Sequence, residues 1–290
     1  MLVDLNTVMA YAEDHKIAIG SFNVPNLESI QAVTEAAEEL HLPVILQHAQ
    51  CHEEFNSLDV VGPIMLQFAR KASVPVCVHL DHGEDLNYLR RALEMGFTSI
   101  MYDGSMLSYE ENCANTKAAV ELAKLFGASV EAELGSMGRR ESGAGDGSGA
   151  DDETKIYTDP ALAKEFVKTT GIDALACSFG TTHGIYLTAP KLDFTVVEQV
   201  RQQTGNIPIV MHGGSGVSEN GFRNAIIAGV RKINYFTYMD KAGGEGTAKF
   251  VEQHDNSKPL FYTAILDAAR KAMKDNIKRA MQMFALSEST

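Results

Sequence analysis

The chain has 290 residues, 45% of them hydrophobic, and 25 Lys+Arg against 38 Asp+Glu give a formal net charge of −13. No run approaches the roughly 18–20 uncharged apolar residues of a membrane span, and the acidic balance argues against nucleic acid or an anionic membrane as partner, because phosphate backbones are bound through clustered Lys and Arg. A small phosphorylated molecule is not excluded, since backbone N–H groups and a metal can hold a phosphate.

Apolar, β-rich runs recur along the chain, each followed by a helix-like stretch. The predicted strands are Ile17–Ser21, Val44–Gln47, Val74–Leu80, Ser99–Tyr102, Ser129–Leu134, Ala174–Ser178, Pro208–Met211 and Lys232–Tyr235. Between the first two lies a helical pattern, Leu27–Leu40, with Leu27, Ile30, Val33 and Ala37 on one face. Ser108-x-x-Glu111 reads as a capping box, Asp159 before Pro160 as an N-cap followed by an N1 proline, and Ser218 as the start of a helix over Glu219–Gly229. Strands that are apolar almost throughout suit a parallel sheet covered on both faces. Eight strand–helix repeats predict a single-domain (β/α)8 TIM barrel over residues 1–290. A doubly wound open sheet is the alternative, weakened by SFNVPN standing where a G-x-G-x-x-G would follow the first strand.

The segment 135–158, GSMGRRESGAGDGSGADDETKIYT, is too long for an ordinary strand–helix loop and fits no dinucleotide or phosphate-loop spacing. It reads as a Gly-rich mobile lid, with a plain flexible insertion as the alternative. The four cysteines (Cys51, Cys77, Cys113, Cys177) form no C-x-x-C, and the first residues lack a basic region followed by an apolar one. A cytoplasmic location is therefore expected.

In such a barrel, catalytic groups stand where strands end at the C-terminal face. Asn23, Asp81-His82, Asp103, Glu131-Ala132-Glu133, His183, His212 and Asn234 fall at or just beyond such ends. His15, His41, His52 and His254 read as structural, His48 as structural or pocket-lining, and His79 as packing or support. His82, His183 and His212 follow three different strands and can converge, and three protein ligands with an open fourth position suit catalytic zinc. Gly184, and Gly213-Gly214-Ser215-Gly216 before the Ser218 helix, offer backbone amides to a phosphate, with Asn234 and Thr237 as further donors. A tight structural turn is the alternative for that glycine run.

Taken together, SFNVPNLE, HLDHG at 79–83, MYDGS at 101–105, SVEAELG at 129–135, GTTHGIY at 180–186, MHGGSG at 211–216 and KIN–T at 232–237 resemble the class II, zinc-dependent ketose-bisphosphate aldolases. The resemblance spans nearly the whole chain. It implies reversible cleavage of a ketose 1-phosphate or bisphosphate to dihydroxyacetone phosphate and an aldehyde, through an enediolate stabilised by Zn²⁺. It further implies His82, His183 and His212 as zinc ligands, Glu133 and Asp103 as an alternative or second metal position, and Asp81 as the acid/base at the cleaved carbon. Glu141 becomes the base that deprotonates dihydroxyacetone phosphate. Asn23, Gly184, Gly213, Gly214, Ser215, Asn234 and Thr237 become the substrate pocket, with Na⁺ or K⁺ supporting the phosphate. A homodimer or homotetramer acting on a phosphorylated sugar is implied as well.

Departures from the family pattern gather on the acceptor side. Leu187 stands where relatives acting on fructose bisphosphate have lysine, Phe236 and Asp240 replace an aspartate and an arginine, and Ala49 replaces a hydroxyl residue. An aspartate in place of an arginine repels a second phosphate, so the expected acceptor is not the usual triose phosphate. Arg139 and Arg140 are the obvious compensating cations. Ordinary fructose- or tagatose-1,6-bisphosphate cleavage, a zinc hydrolase, and a non-catalytic metal-binding barrel are the competing readings.

Overall fold

The computed structural model describes residues 1–135, 157–181 and 191–287. The strands are β1 (Leu2–Val3), β2 (Ile19–Asn23), β3 (Val44–Ala49), β4 (Val76–Gly83), β5 (Ser99–Tyr102), β6 (Ser129–Leu134), β7 (Ala174–Cys177), β8 (Ile209–Met211) and β9 (Val230–Tyr235). Strands β2 to β9 run parallel, each paired with its sequence neighbours, and β9 returns to β2 to close an eight-stranded barrel. This is the (β/α)8 TIM barrel expected from the repeats, and the described residues form one domain.

The helices are α1 (Leu5–His15), α2 (Leu27–Leu40), α3 (Leu58–Lys71), α4 (Leu86–Met95), α5 (Tyr109–Lys124), α6 (Pro160–Thr170), α7 (Phe194–Gln203), α8 (Glu219–Ala228), α9 (Thr237–Glu252) and α10 (Tyr262–Phe284). Their starts follow the chemistry of the caps. Ser108 and Glu111 form a reciprocal capping box, Asp159 accepts from the amides of Ala161 and Leu162 ahead of α6, and Ser218 accepts from Gly221. Helix α2 has its expected limits, but Leu27 at its first turn is exposed while Ile30, Val33 and Ala37 are buried. The face turned to the barrel thus starts one turn later than the pattern suggested.

Two apolar layers divide the core. The larger packs the outer faces of the strands against α2 to α10. The smaller lies inside the barrel at its N-terminal end, where Ile19, Ile45, Cys77, Ala174, Ala176 and Val210 meet Leu5, Val8, Met9 and Ala12 of α1. Helix α1 therefore plugs the bottom of the barrel. Its Glu13 adds ion pairs to Arg201 of α7 and Arg231 of β9.

Strand parity orders the rest of the interior. Successive side chains alternate faces, so two residues above each plugged position another side chain points inward. Ser21, Gln47 and His79 stand two residues above Ile19, Ile45 and Cys77, and Ser99, Glu131 and Lys232 complete this middle polar layer, all buried. Asn23, Asp81, Glu133 and Asn234 lie two residues further along, at the C-terminal mouth, where Asp103, four residues beyond Ser99, and His212 join them. An apolar floor, a polar middle and an ionisable mouth follow from one alternation.

Candidate active site

On a regular strand Asp81 and His82 would face opposite sides. Strand β4 runs past Leu80 to Gly83, with a register shift against β5 between Leu80 and Gly83, and His82 has a left-handed φ of 47°. Non-glycine residues rarely adopt that conformation, and an irregularity of this kind re-aims a side chain. Both residues therefore reach the same mouth, and His82 Nδ1 lies 2.8 Å from Asp103 Oδ2.

The two described histidines of the predicted metal site are together. His82 Nε2 and His212 Nδ1 are 3.0 Å apart, and their rings stand nearly perpendicular. Two imidazole nitrogens on one tetrahedral zinc would lie about 3.3 Å apart, given Zn–N bonds of about 2.0–2.1 Å. Among the described residues, Glu133 Oε2 is buried without a hydrogen-bond partner, 3.6 Å from His212 Nδ1. An orphaned carboxylate oxygen beside two facing imidazoles is a donor set that suits a divalent cation. Asp81, His82 and His212 form one group able to hold a metal, and His82, Asp103 and Glu133 another.

Electrostatics reflect the crowding. Burial alone would lower the His82 imidazole, but Asp81, Asp103 and Glu133 push it up to about 10. Burial keeps His212 below its ordinary value. Burial also drives Glu133 well above the usual carboxylate range, reinforced by Asp103. Asp81 goes the other way: burial would raise it, but His82, His212 and Lys232 together hold it far below that range. Of the three carboxylates in this small volume, Asp81 is thus held low and Glu133 high.

Asp81 is also held mechanically. Its Oδ2 accepts from Asn23 Nδ2 at 3.0 Å and Gln47 Nε2 at 3.1 Å, and its Oδ1 accepts from Asn234 Nδ2 at 3.1 Å. Gln47 also donates to Asn23 Oδ1 at 2.8 Å and accepts from the Ser21 hydroxyl. Beneath the histidines, Glu131 lies 2.9 Å from His212 Nε2, 2.8 Å from Lys232 Nζ and 3.6 Å from His79 Nε2, while His79 Nδ1 meets Ser99 Oγ at 2.8 Å. Gln47 and Lys232 were absent from the predicted site, and Glu131 stood at a strand end with no role assigned to it. Each stands two residues before an inward-facing position at the mouth, and that spacing was the available signal.

Around the opening, Asn23, Asp81 and His82 face Gly213, Gly214, Ser215 and Asn234, with Phe236 and Thr237 completing the pocket. Gly213 has φ 65°. The Gly214 amide donates to the Asn234 carbonyl at 3.2 Å, so this residue serves by close approach and not by offering its N–H to a ligand. A Cβ there would lie 2.8 Å from the Asn234 carbonyl oxygen and 2.9 Å from Ile233 Cγ2. His52 is buried and tilts against Phe236 with ring centroids 4.8 Å apart, which places it in the pocket wall's support. His48 contacts the Tyr88 hydroxyl at 3.2 Å and does not line the pocket. His183, Gly184, Leu187, Glu141, Arg139 and Arg140, and all of the expected lid apart from Gly135, Tyr157 and Thr158, lie outside the described residues. Among the described residues, no helix is long and apolar enough to cross a membrane.

A parallel (β/α)8 barrel with imidazoles and carboxylates converging at its C-terminal mouth defines an enzyme scaffold with a metal-capable site. Comparison with known proteins makes the class specific. Residues 3–289 match the family described as fructose-bisphosphate aldolase class-II, and the chain belongs to that family. It is 35% identical to the D-tagatose-1,6-bisphosphate aldolase subunit GatY of Klebsiella oxytoca, over 97% of each chain. It is 36% identical to a fructose-bisphosphate aldolase of Staphylococcus aureus, over 99% of this chain and 98% of that one. The crystal structure of the YdjI aldolase from Escherichia coli K12 superposes with a TM-score of 0.85 at 34% identity, covering 98% of this chain and 97% of that one. The activity is that of an aldolase, a carbon–carbon lyase.

Proposed function

We propose that the chain reversibly cleaves a ketose 1-phosphate to dihydroxyacetone phosphate and an aldehyde, using Zn²⁺ held by His82, His212 and His183. The observation that carries this reading is the facing pair His82 Nε2 and His212 Nδ1, 3.0 Å apart, beside the orphaned Glu133 Oε2 and the fixed carboxylate of Asp81. A zinc ion supplies an electrophile for the negative charge that develops on a carbonyl oxygen as the neighbouring proton leaves.

The chain's own groups do the remainder. Asp81, far below the usual carboxylate range, is an acceptor for the hydroxyl proton on the carbon whose bond breaks, and Asn23, Gln47 and Asn234 hold its oxygens in place. Asp103 accepts from His82 Nδ1–H and leaves Nε2 for the metal, which makes it a support for the ligand; with Glu133 it is also the alternative metal position. Gly213, Gly214, Ser215 and Thr237 line the side of the pocket that takes the phosphate, where Na⁺ or K⁺ would assist. For Glu141 the proposed role is removal of the proton from dihydroxyacetone phosphate, and for Gly184 a contact to the phosphate; both rest on the sequence resemblance.

Phe236 in the pocket wall and Asp240 one turn along α9 favour an aldehyde without a second phosphate. Ordinary bisphosphate cleavage is the second reading, favoured by the names of the relatives at 35% and 36% identity. The test is zinc-loaded protein incubated with dihydroxyacetone phosphate and a panel of phosphorylated and unphosphorylated aldehydes. Faster condensation with unphosphorylated aldehydes is expected. Equal or better turnover of fructose 1,6-bisphosphate would sink the acceptor assignment, and no product with any aldehyde would sink the reaction.

A further inference from the structure

The middle layer of the barrel holds an ion pair that the chemistry above does not use. Lys232 Nζ lies 2.8 Å from Glu131 Oε2, and neither side chain is exposed. Such a pair is a poor stability device, because apolar residues of similar volume often serve a core as well or better. Its position suggests another use. Glu131 Oε1 lies 2.9 Å from His212 Nε2, so a proton on Nε2 completes that hydrogen bond and leaves the Nδ1 lone pair facing His82 Nε2. A carboxylate behind a ligating imidazole fixes its tautomer and orientation.

Glu131 has two rival donors besides His212. Oε2 lies 3.6 Å from His79 Nε2, and without Lys232 the carboxylate could relieve its isolation by turning toward that ring. We propose that Lys232 is a positioning residue. By engaging Oε2 it keeps Glu131 in the rotamer that presents Oε1 to His212, and so sets the metal affinity of the mouth from one layer below. This rests on the zinc reading of His82 and His212.

The test compares wild type, Lys232→Met and the double variant Lys232→Met/Glu131→Gln, with zinc affinity measured by competition against a chromophoric chelator and thermal melting alongside. The double variant contains no unpaired buried charge and keeps an amide oxygen within reach of His212, so it folds if the pair is only core filling. Zinc affinity about 10–100-fold below wild type is expected in both variants, with kcat falling more than KM. Wild-type zinc affinity in a folded double variant overturns the inference while leaving the zinc reading intact. Absence of zinc affinity in the wild type sinks both. Should neither variant fold, ¹⁵N NMR of histidine-labelled wild type decides: a protected proton on His212 Nε2 supports the inference, and protonation at Nδ1 in the zinc-free protein overturns it.

Discussion

Gln47 gives the most informative single substitution, because its side chain ties Ser21, Asn23 and Asp81 together and hydrogen-bonds to neither of the zinc-ligand histidines His82 and His212. Methionine at this position keeps the volume, so cavity and overpacking costs are small. What is lost is the donor to Asp81 Oδ2 at 3.1 Å, the donor to Asn23 Oδ1 at 2.8 Å, and the acceptor for the Ser21 hydroxyl. A hydrogen bond to a charged group contributes about 1.5–3 kcal/mol and each of the two neutral ones about 1 kcal/mol, so Gln47→Met should cost about 3.5–5 kcal/mol of stability. Only the bond to Asp81 bears on proton transfer. Its loss, at about 1.5–3 kcal/mol, corresponds to a fall in kcat of about 10–150-fold. KM for the ketose phosphate should change much less, since the phosphate side of the pocket is untouched. Steady-state kinetics on protein shown to be folded and zinc-loaded provide the assay. A folded Gln47→Met enzyme with kcat within about twofold of wild type would refute the idea that the amide cage orients Asp81.

Three further outcomes are expected. Glu13, held below its ordinary value of 4.5 against the effect of burial by Arg201 and Arg231, stabilises the fold above that value and loses its contribution as pH falls through the depressed one. Glu13→Gln should therefore lower stability by about 1–3 kcal/mol at neutral pH, and the difference from wild type should vanish in acid; a difference independent of pH would contradict this. Gly214→Ala would drive a Cβ against the Asn234 carbonyl and Ile233, so KM for dihydroxyacetone phosphate should rise about tenfold, and an unchanged KM would remove Gly214 from the pocket. Asp240→Arg should raise fructose 1,6-bisphosphate cleavage by up to about tenfold in an assay coupled to triose phosphate release, and no gain would count against charge repulsion as the barrier.

Much of the barrel was legible because its strands are short apolar runs punctuated by helix caps that obey local chemistry. Ser108, Asp159 and Ser218 marked helix starts that depend on a few neighbouring residues alone. Strand limits were harder. Val74–Leu80 slid to Val76–Gly83 because the irregularity at His82 is a property of pairing with β5, which a single strand does not reveal. Reading the strands as uniformly apolar also hid their inner alternation. Cys77, His79 and Asp81 on β4 and Glu131 and Glu133 on β6 step through the barrel layers at a spacing of two. The histidines and Asp81 stood out as ionisable groups at strand ends. Gln47 and Lys232 did not, because their partners come from other strands and only closure of the barrel brings them together.

Exchange of the dihydroxyacetone phosphate C3 proton with solvent deuterium, followed by NMR without any aldehyde, tests the proposed chemistry without knowledge of the acceptor. Zinc-loaded protein should exchange one of the two C3 protons well above the buffer rate, lose that activity on chelation and regain it when zinc is restored. Exchange that never exceeds the buffer rate, or that persists undiminished in the zinc-free protein, would contradict a metal-dependent aldolase at this barrel mouth.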